Sequence, residues 1–178
     1  MENHTLIGDK IDFSSDIETS FSLTFLPLDI FDSWERAGSL SDFIADYFSP
    51  YFHSESAHNL ISTIFNELIE NAVKFSRNNS QPIDIVVKKR NNELLAKIIN
   101  SIPRHRKKAF IEICRELFQK DLDELYLQKI EEGMGDTRKS GIGLILIKKD
   151  YNIKIGFDFF IDRNSIMKVA VTLELTLQ

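Results

Sequence analysis

The stretch Asn66-Glu67-Leu68-Ile69-Glu70-Asn71-Ala72-Val73-Lys74-Phe75-Ser76 decides how the rest of the chain is read. Leading into it and within it, Leu60, Ile61, Ile64, Phe65, Leu68, Ile69, Ala72 and Val73 recur at helical spacing, which predicts a long amphipathic helix with one buried stripe. Glu67 and Asn71 stand four residues apart and project side by side, and Lys74 follows near the same edge. A carboxylate base, a neutral carboxamide ligand for Mg²⁺ and a cation in one row suit phosphate chemistry. The same residue types are ordinary on the solvent face of a helix, so the row needs a second segment to acquire meaning.

That segment comes about seventy residues later, as Arg138-Lys139-Ser140-Gly141-Ile142-Gly143-Leu144-Ile145-Leu146-Ile147-Lys148-Lys149. Two glycines bracket one apolar residue, basic residues precede them and an apolar helical run follows. Glycines at a helix entrance let a phosphate approach backbone N–H groups, and the helix N-terminus adds partial positive charge. By itself Gly-x-Gly is equally a tight turn into a buried helix. The spacing from a strand does not suit a dinucleotide-binding fingerprint, and no Gly-Lys-Ser/Thr phosphate loop occurs.

Together the two segments resemble the GHKL nucleotide-binding family, which includes gyrase B, Hsp90, sensor histidine kinases and anti-sigma-factor serine kinases. The family's Glu-x-x-x-Asn-Ala box reads here Glu67-Leu68-Ile69-Glu70-Asn71-Ala72, and its later glycine box matches Ser140-Gly141-Ile142-Gly143-Leu144. A basic residue before Ser-Gly-x-Gly looks most like the anti-sigma kinases, and Lys139 occupies that place. The small, single-domain SiaB-type protein kinases are the most similar branch in length and middle region. The resemblance covers roughly residues 20–178 and implies ATP and Mg²⁺ as cofactors. It also implies Glu67 as the catalytic acid–base residue, Asn71 as the metal ligand, Lys74 and Lys139 against phosphate charge, and Ser140, Gly141 and Gly143 around the phosphates. Arg138 is an alternative to Lys139. Glu70 competes with Glu67 for the acid role, but the spacing to Asn71 favours Glu67.

One family box departs from the pattern. Where Asp-x-Gly-x-Gly should follow a strand, the chain reads Asn100-Ser101-Ile102-Pro103-Arg104. Asn100 stands where the adenine-reading aspartate belongs, and its side-chain oxygen can accept from an adenine amino group without charge assistance. Ile102 and Arg104 replace the glycines, and Pro103 fixes its own φ and restricts Ile102. Nucleotide binding is therefore expected to be weaker, differently posed or lost.

The 178 residues, 43% hydrophobic with 14 Phe, suffice for one domain with a continuous core. A net charge near −5 gives no sign of nucleic-acid binding. No apolar run approaches the roughly 20 residues that span a bilayer, and Met1-Glu2-Asn3-His4 shows no basic-then-apolar leader. The single Cys114, in an apolar-periodic segment, is expected to be a buried hydrophobe and suits a reducing, cytoplasmic setting. His4, His53, His58 and His105 lack metal-ligand spacing, and the residues ahead of the Glu67 helix are expected to belong to the same fold rather than to a phospho-acceptor helix.

Residues 1–18 read as a mobile segment and 19–178 as a single domain. Strands are predicted at 21–28, 83–89 and 93–99, the last two joined by Asn91-Asn92, and at 151–161 and 165–177 around Asp162-Arg163-Asn164. Helical runs are predicted through Trp34 and Ala37 after a cap at Asp32 or Ser33, over 41–52, from a Ser54 or Ser56 cap to Ser76, over 104–132, and from Gly143. These elements predict an α+β two-layer sandwich, a mixed or mostly antiparallel sheet covered on one face by helices. Residues 104–140 would be the lid, with freedom at Gly133 and Gly135.

Three functions fit. The first is a serine/threonine kinase that phosphorylates a small STAS-like or SiaC-like regulatory protein, as the resemblance implies. The second is a nucleotide-regulated or nucleotide-free binding module that sequesters a regulator. The third is a detached kinase-like domain whose acceptor lies on another chain. A homodimer is compatible with all three, through an exposed edge strand at 21–28.

Overall fold

Alternating apolar residues build six strands in the computed structural model, which describes residues 4–31, 33–76, 80–133, 142–151 and 153–177. These are β1 (Thr5–Gly8), β2 (Thr19–Phe25), β3 (Ile83–Arg90), β4 (Glu93–Ser101), β5 (Ile153–Ile161) and β6 (Met167–Thr176). They form one sheet in the order β1-β5-β6-β4-β3-β2. Every pairing described is antiparallel, so of the expected mixed or mostly antiparallel sheet it is the antiparallel form that is realised. The tight connections explain this at the centre. Asn91 takes φ 49°, which an Asn tolerates in a two-residue hairpin turn, and joins β3 to β4. Asp162 receives the backbone N–H groups of Asn164 and Ile166 and joins β5 to β6.

The helices are α1 (Pro27–Phe31), α2 (Glu35–Phe48), α3 (Ala57–Phe75), α4 (Lys107–Gln119), α5 (Leu122–Gly133) and α6 (Ile142–Asp150). Their apolar stripes meet one face of the sheet. Ile85 and Val87 of β3, Ala96 and Ile98 of β4, Ile155 and Phe157 of β5 and Leu173 of β6 share a single core with Phe48, Ile61, Phe65, Leu117 and Ile147. The period-2 alternation of the strands sends these residues to the same side. The architecture is thus α+β, compatible with a two-layer sandwich. No helix among the described residues is long and apolar enough to cross a membrane.

Several local expectations are corrected. Residues 4–18 do not stand apart from the domain. β1 pairs with β5 at one edge of the sheet, and the chain then crosses the sheet face opposite the helices to reach β2. Along this crossing Asp9 exchanges backbone and side-chain bonds with Ile155, Phe13 places its ring 4.4 Å from Lys97 Nζ, and Lys88 donates to the Phe13 carbonyl at 2.8 Å. Glu18 ends it in an ion pair with Lys89. The segment has few apolar residues because its anchors are backbone groups and cations, which periodicity does not register.

The strand expected over 21–28 ends at Phe25, because Pro27 starts α1, where a missing N–H costs nothing. The two runs expected around Gly38 are one helix, α2. Asp32 lies outside the described residues, and Ser33 does not cap; Trp34 occupies the cap position, and its side chain makes no capping bond to the helix. Ser56 holds the cap position of α3 but its hydroxyl meets Ser54 Oγ at 3.1 Å instead of the helix. The run over 104–132 is divided at Asp121, whose carboxylate accepts from the backbone N–H groups of Asp123 and Glu124 and so caps α5.

Candidate functional site

Three elements converge beside the core. α3 carries Glu67 and Asn71 on adjacent turns, β4 ends at Asn100 and Ser101, and α6 opens with Ile142 and Gly143. Glu67, Asn71, Asn100 and Gly143, separated by up to 76 positions in sequence, come together here as the motifs predict.

Glu67 is half-buried, and its carboxylate lies against the backbone of Gly143. A methyl group built on Gly143 would fall 2.7 Å from Glu67 Cδ and 3.4 Å from Cγ, and would overlap Oε2. Only a residue without Cβ lets the acid reach the first turn of α6. Burial first, and the neighbouring Glu70 second, push the Glu67 pKa above the ordinary 4.5, while Lys74 pulls it back in part. A carboxylate held in this state is a stronger proton acceptor than one in water.

Asn71 is 9% exposed, and its Nδ2 is buried without a hydrogen-bond partner. An unpaired buried amide costs on the order of 1–3 kcal/mol, so a partner for it is the feature the site lacks. Asn71 lines a small cavity with Leu68, Ala72 and Phe75 of α3, Ile98 and Asn100 of β4, Phe110 of α4, Leu144 of α6 and Val171 of β6. Its volume is about 10 Å³, room for about one water molecule. Asn100 is 2% exposed and donates from Nδ2 to the Ser101 carbonyl at 3.2 Å.

The glycine-less box is closed. Ile102 is buried and continues the strand register through its N–H to Met167 O at 2.9 Å. Arg104 donates to Ser165 O at 2.8 Å, tying the following turn to the β5–β6 hairpin. Phe110 then stacks on Phe75 with centroids 4.8 Å apart and meets Phe159 edge-on at 5.5 Å. These two rings are the site residues that motif reading missed. Phe75 was legible as the residue one turn beyond Asn71, and Phe110 as the first bulky residue of the apolar segment that holds Cys114.

Lys74 Nζ pairs with Glu70 at 2.9 Å and lies 5.7 Å from the Trp34 ring centroid, while staying near enough to Glu67 to pull its pKa down in part. Glu70 also accepts from Asn66 Nδ2 at 3.0 Å, so its carboxylate is engaged by Asn66 and Lys74 while its charge still acts on Glu67. Arg138, Lys139, Ser140 and Gly141 lie outside the described residues. Cys114 is fully buried, and burial pushes its thiol pKa up, as expected of an inert core cysteine.

The donor set suits the metal and phosphate end of a bound Mg-nucleotide. Asn71 offers a carboxamide whose unpartnered Nδ2 is a donor suited to a phosphate oxygen and whose Oδ1 is the atom a metal would use. Glu67 offers a carboxylate at a helix entrance, and among the described residues no cluster of three or more His, Cys, Asp or Glu could hold a metal by itself. The remaining coordination of Mg²⁺ would fall to phosphate and water oxygens, its usual habit. The base end does not fit the cavity as it stands, because a ligand pocket is normally several hundred Å³, and displacing Phe110 from Phe75 would widen it. Compared with known proteins, the chain matches no family model and no curated protein.

Proposed function

We propose that the chain is an ATP-dependent serine/threonine protein kinase of the GHKL type that phosphorylates a small STAS-like regulatory protein. The observation that carries this reading is the unpartnered Asn71 amide, one helical turn from a Glu67 carboxylate packed on Gly143. When bound, Mg-ATP would supply the transferable phosphoryl group and the charge of the metal. Glu67 would accept the proton of the partner's hydroxyl, and burial keeps its basicity high at the moment it is needed. Losing a positioned base of this kind typically costs on the order of 10²–10⁴ in rate. Asn71 would fix the metal end, and Asn100 would face the base once Phe110 has moved. Lys139, Ser140 and Gly141 are assigned to the phosphates by the same resemblance.

A second reading is favoured by one observation, the closed base end formed by Ile102, Phe75 and Phe110. On it the chain is a nucleotide-free binding module that sequesters its regulator. Titration calorimetry with Mg-ATP on the wild type, Asn71→Ala and Glu67→Ala separates the two. The kinase reading expects wild-type binding that Asn71→Ala abolishes and Glu67→Ala keeps, followed by acid-stable phosphate on a partner hydroxyl. No heat at millimolar nucleotide, with the fold intact, would leave the binding module.

A further inference from the structure

We propose that β2 is a self-pairing edge, through which two copies of this chain join their sheets about a two-fold axis at Ser22. β2 is terminal in the sheet, and among the described residues no strand bonds to its outer side. Natural sheets blunt such edges with charges, prolines, bulges or shortness. The opposite edge follows that rule: β1 has four residues, starts beside the His4–Asp158 pair and ends at Gly8 with φ 83°. β2 does not. Its seven residues, Thr19-Ser20-Phe21-Ser22-Leu23-Thr24-Phe25, carry no charge, no proline and no glycine.

The sequence of β2 matches its own reverse in chemistry. Antiparallel pairing about Ser22 sets Ser22 against Ser22, Ser20 against Thr24, Phe21 against Leu23 and Thr19 against Phe25. Hydroxyl side chains then meet hydroxyl side chains on the face away from the helices, and the helix-side face is apolar except for the outer Thr19. The pairing opposes no charge to another, which is what an isologous interface requires.

An apolar stripe runs beside the edge. Phe43, Tyr47 and Tyr51, spaced by four residues on α2 and the turn after it, stay 51%, 42% and 47% exposed. Phe43 and Tyr47 lie 5.7 and 5.9 Å from the Phe21 ring, and Tyr51 lies near Lys89, the register partner of Thr19. With aromatic side chains of 150–250 Å² each, the three half-exposed rings leave roughly 300 Å², the size of the largest apolar patch on an ordinary monomer. A seven-residue strand edge beside them brings the patch toward the ~800 Å² per partner of a stable interface.

The test is register-specific cross-linking of the full chain. Cys114 is the only native cysteine and is buried, so an introduced thiol is the reactive one. Across the axis the two Ser22 Cα atoms would be about 4.5–5.5 Å apart, within disulfide reach. Two Thr24 positions would be roughly 13 Å apart along the strands, outside it. Sedimentation should therefore give a wild-type dimer. Mild oxidation should cross-link Ser22→Cys nearly completely and Thr24→Cys only at background. A monomeric wild type overturns the proposal, whether or not the edge takes another partner. So does a dimer in which Ser22→Cys fails to cross-link or Thr24→Cys cross-links equally well.

Discussion

Replacing Gly143 with alanine tests whether the contact between the two motifs positions the acid. The new Cβ would lie 2.7 Å from Glu67 Cδ, whereas ordinary carbon–carbon contact is ~3.5–4.0 Å, so the carboxylate has to withdraw by about 1 Å. The atoms in the way are the far end of a flexible side chain, so the fold accommodates the change. The helix itself gains up to ~1 kcal/mol from Gly→Ala. A misplacement of about 1 Å can cost on the order of 10²-fold in rate. Gly143→Ala should therefore unfold in urea at the wild-type midpoint or above it, while partner phosphorylation falls about a hundredfold. Carboxyl-labelled NMR titration would follow the Glu67 pKa, which should drop toward its ordinary value as the group swings outward. Unchanged turnover and an unchanged Glu67 pKa would refute the positioning role. A large loss of stability would show that the carboxylate cannot withdraw.

Three further outcomes follow from the same geometry. Because burial and Glu70 raise the Glu67 pKa, ionising Glu67 opposes folding, and its contribution to stability declines as pH rises from 4.5 through the raised value; Glu67→Gln should match the wild type in urea unfolding near pH 4 and exceed it near pH 8. Phe110→Ala removes a ring that is 6% exposed and stacked on Phe75, so chemical denaturation should show a loss of about 3–5 kcal/mol, and calorimetry should show tighter Mg-ATP binding because the base end opens. Asn71→Leu removes an amide with no partner, so unfolding should show it neutral or more stable than wild type, while Mg-ATP heats vanish; a strongly destabilised variant would mean that the amide already has a partner.

The helix stripe, the two hairpins and the Glu67–Asn71 spacing were legible because each depends on local periodicity or on a short fixed distance along one helix. The N-terminal crossing was not. Its ties run from Asp9 to Ile155 and from Phe13 to Lys88 and Lys97, contacts whose sequence separations periodicity cannot carry. The partner of Lys74 was not legible either: helical spacing put it near both carboxylates, and the packed side chains pair it with Glu70 at i,i+4 while it still acts on Glu67. The closed base end was half legible, since Pro103 excluded glycine-like angles in the loop. That Ile102 continues the β4 register and that Phe110 lies on Phe75 required the packed helices.

Each costly feature of the site has an ordinary explanation alone. A glycine near a helix start ends a turn, a half-buried glutamate is tolerated, and an unsatisfied amide occurs a few times in a protein of this size. Their coincidence is harder to explain by packing. Gly143 forgoes a methyl group at the point where Glu67 needs the space, and Glu67 lies one turn from the amide of Asn71 that nothing satisfies. A core selected for stability alone would place alanine at 143 and leucine at 71, and would leave residue 67 outside. Local rules broken together at one place, against a core elsewhere built from regular apolar layers, are the pattern the proposed kinase site would leave, with residues kept for chemistry rather than for folding. The closed rings of Phe75 and Phe110 do not weaken this, because they cover the base end and leave the Glu67–Asn71–Gly143 corner as it is. On the kinase reading, nucleotide entry would turn on the hold of the Phe110 ring stacked on Phe75.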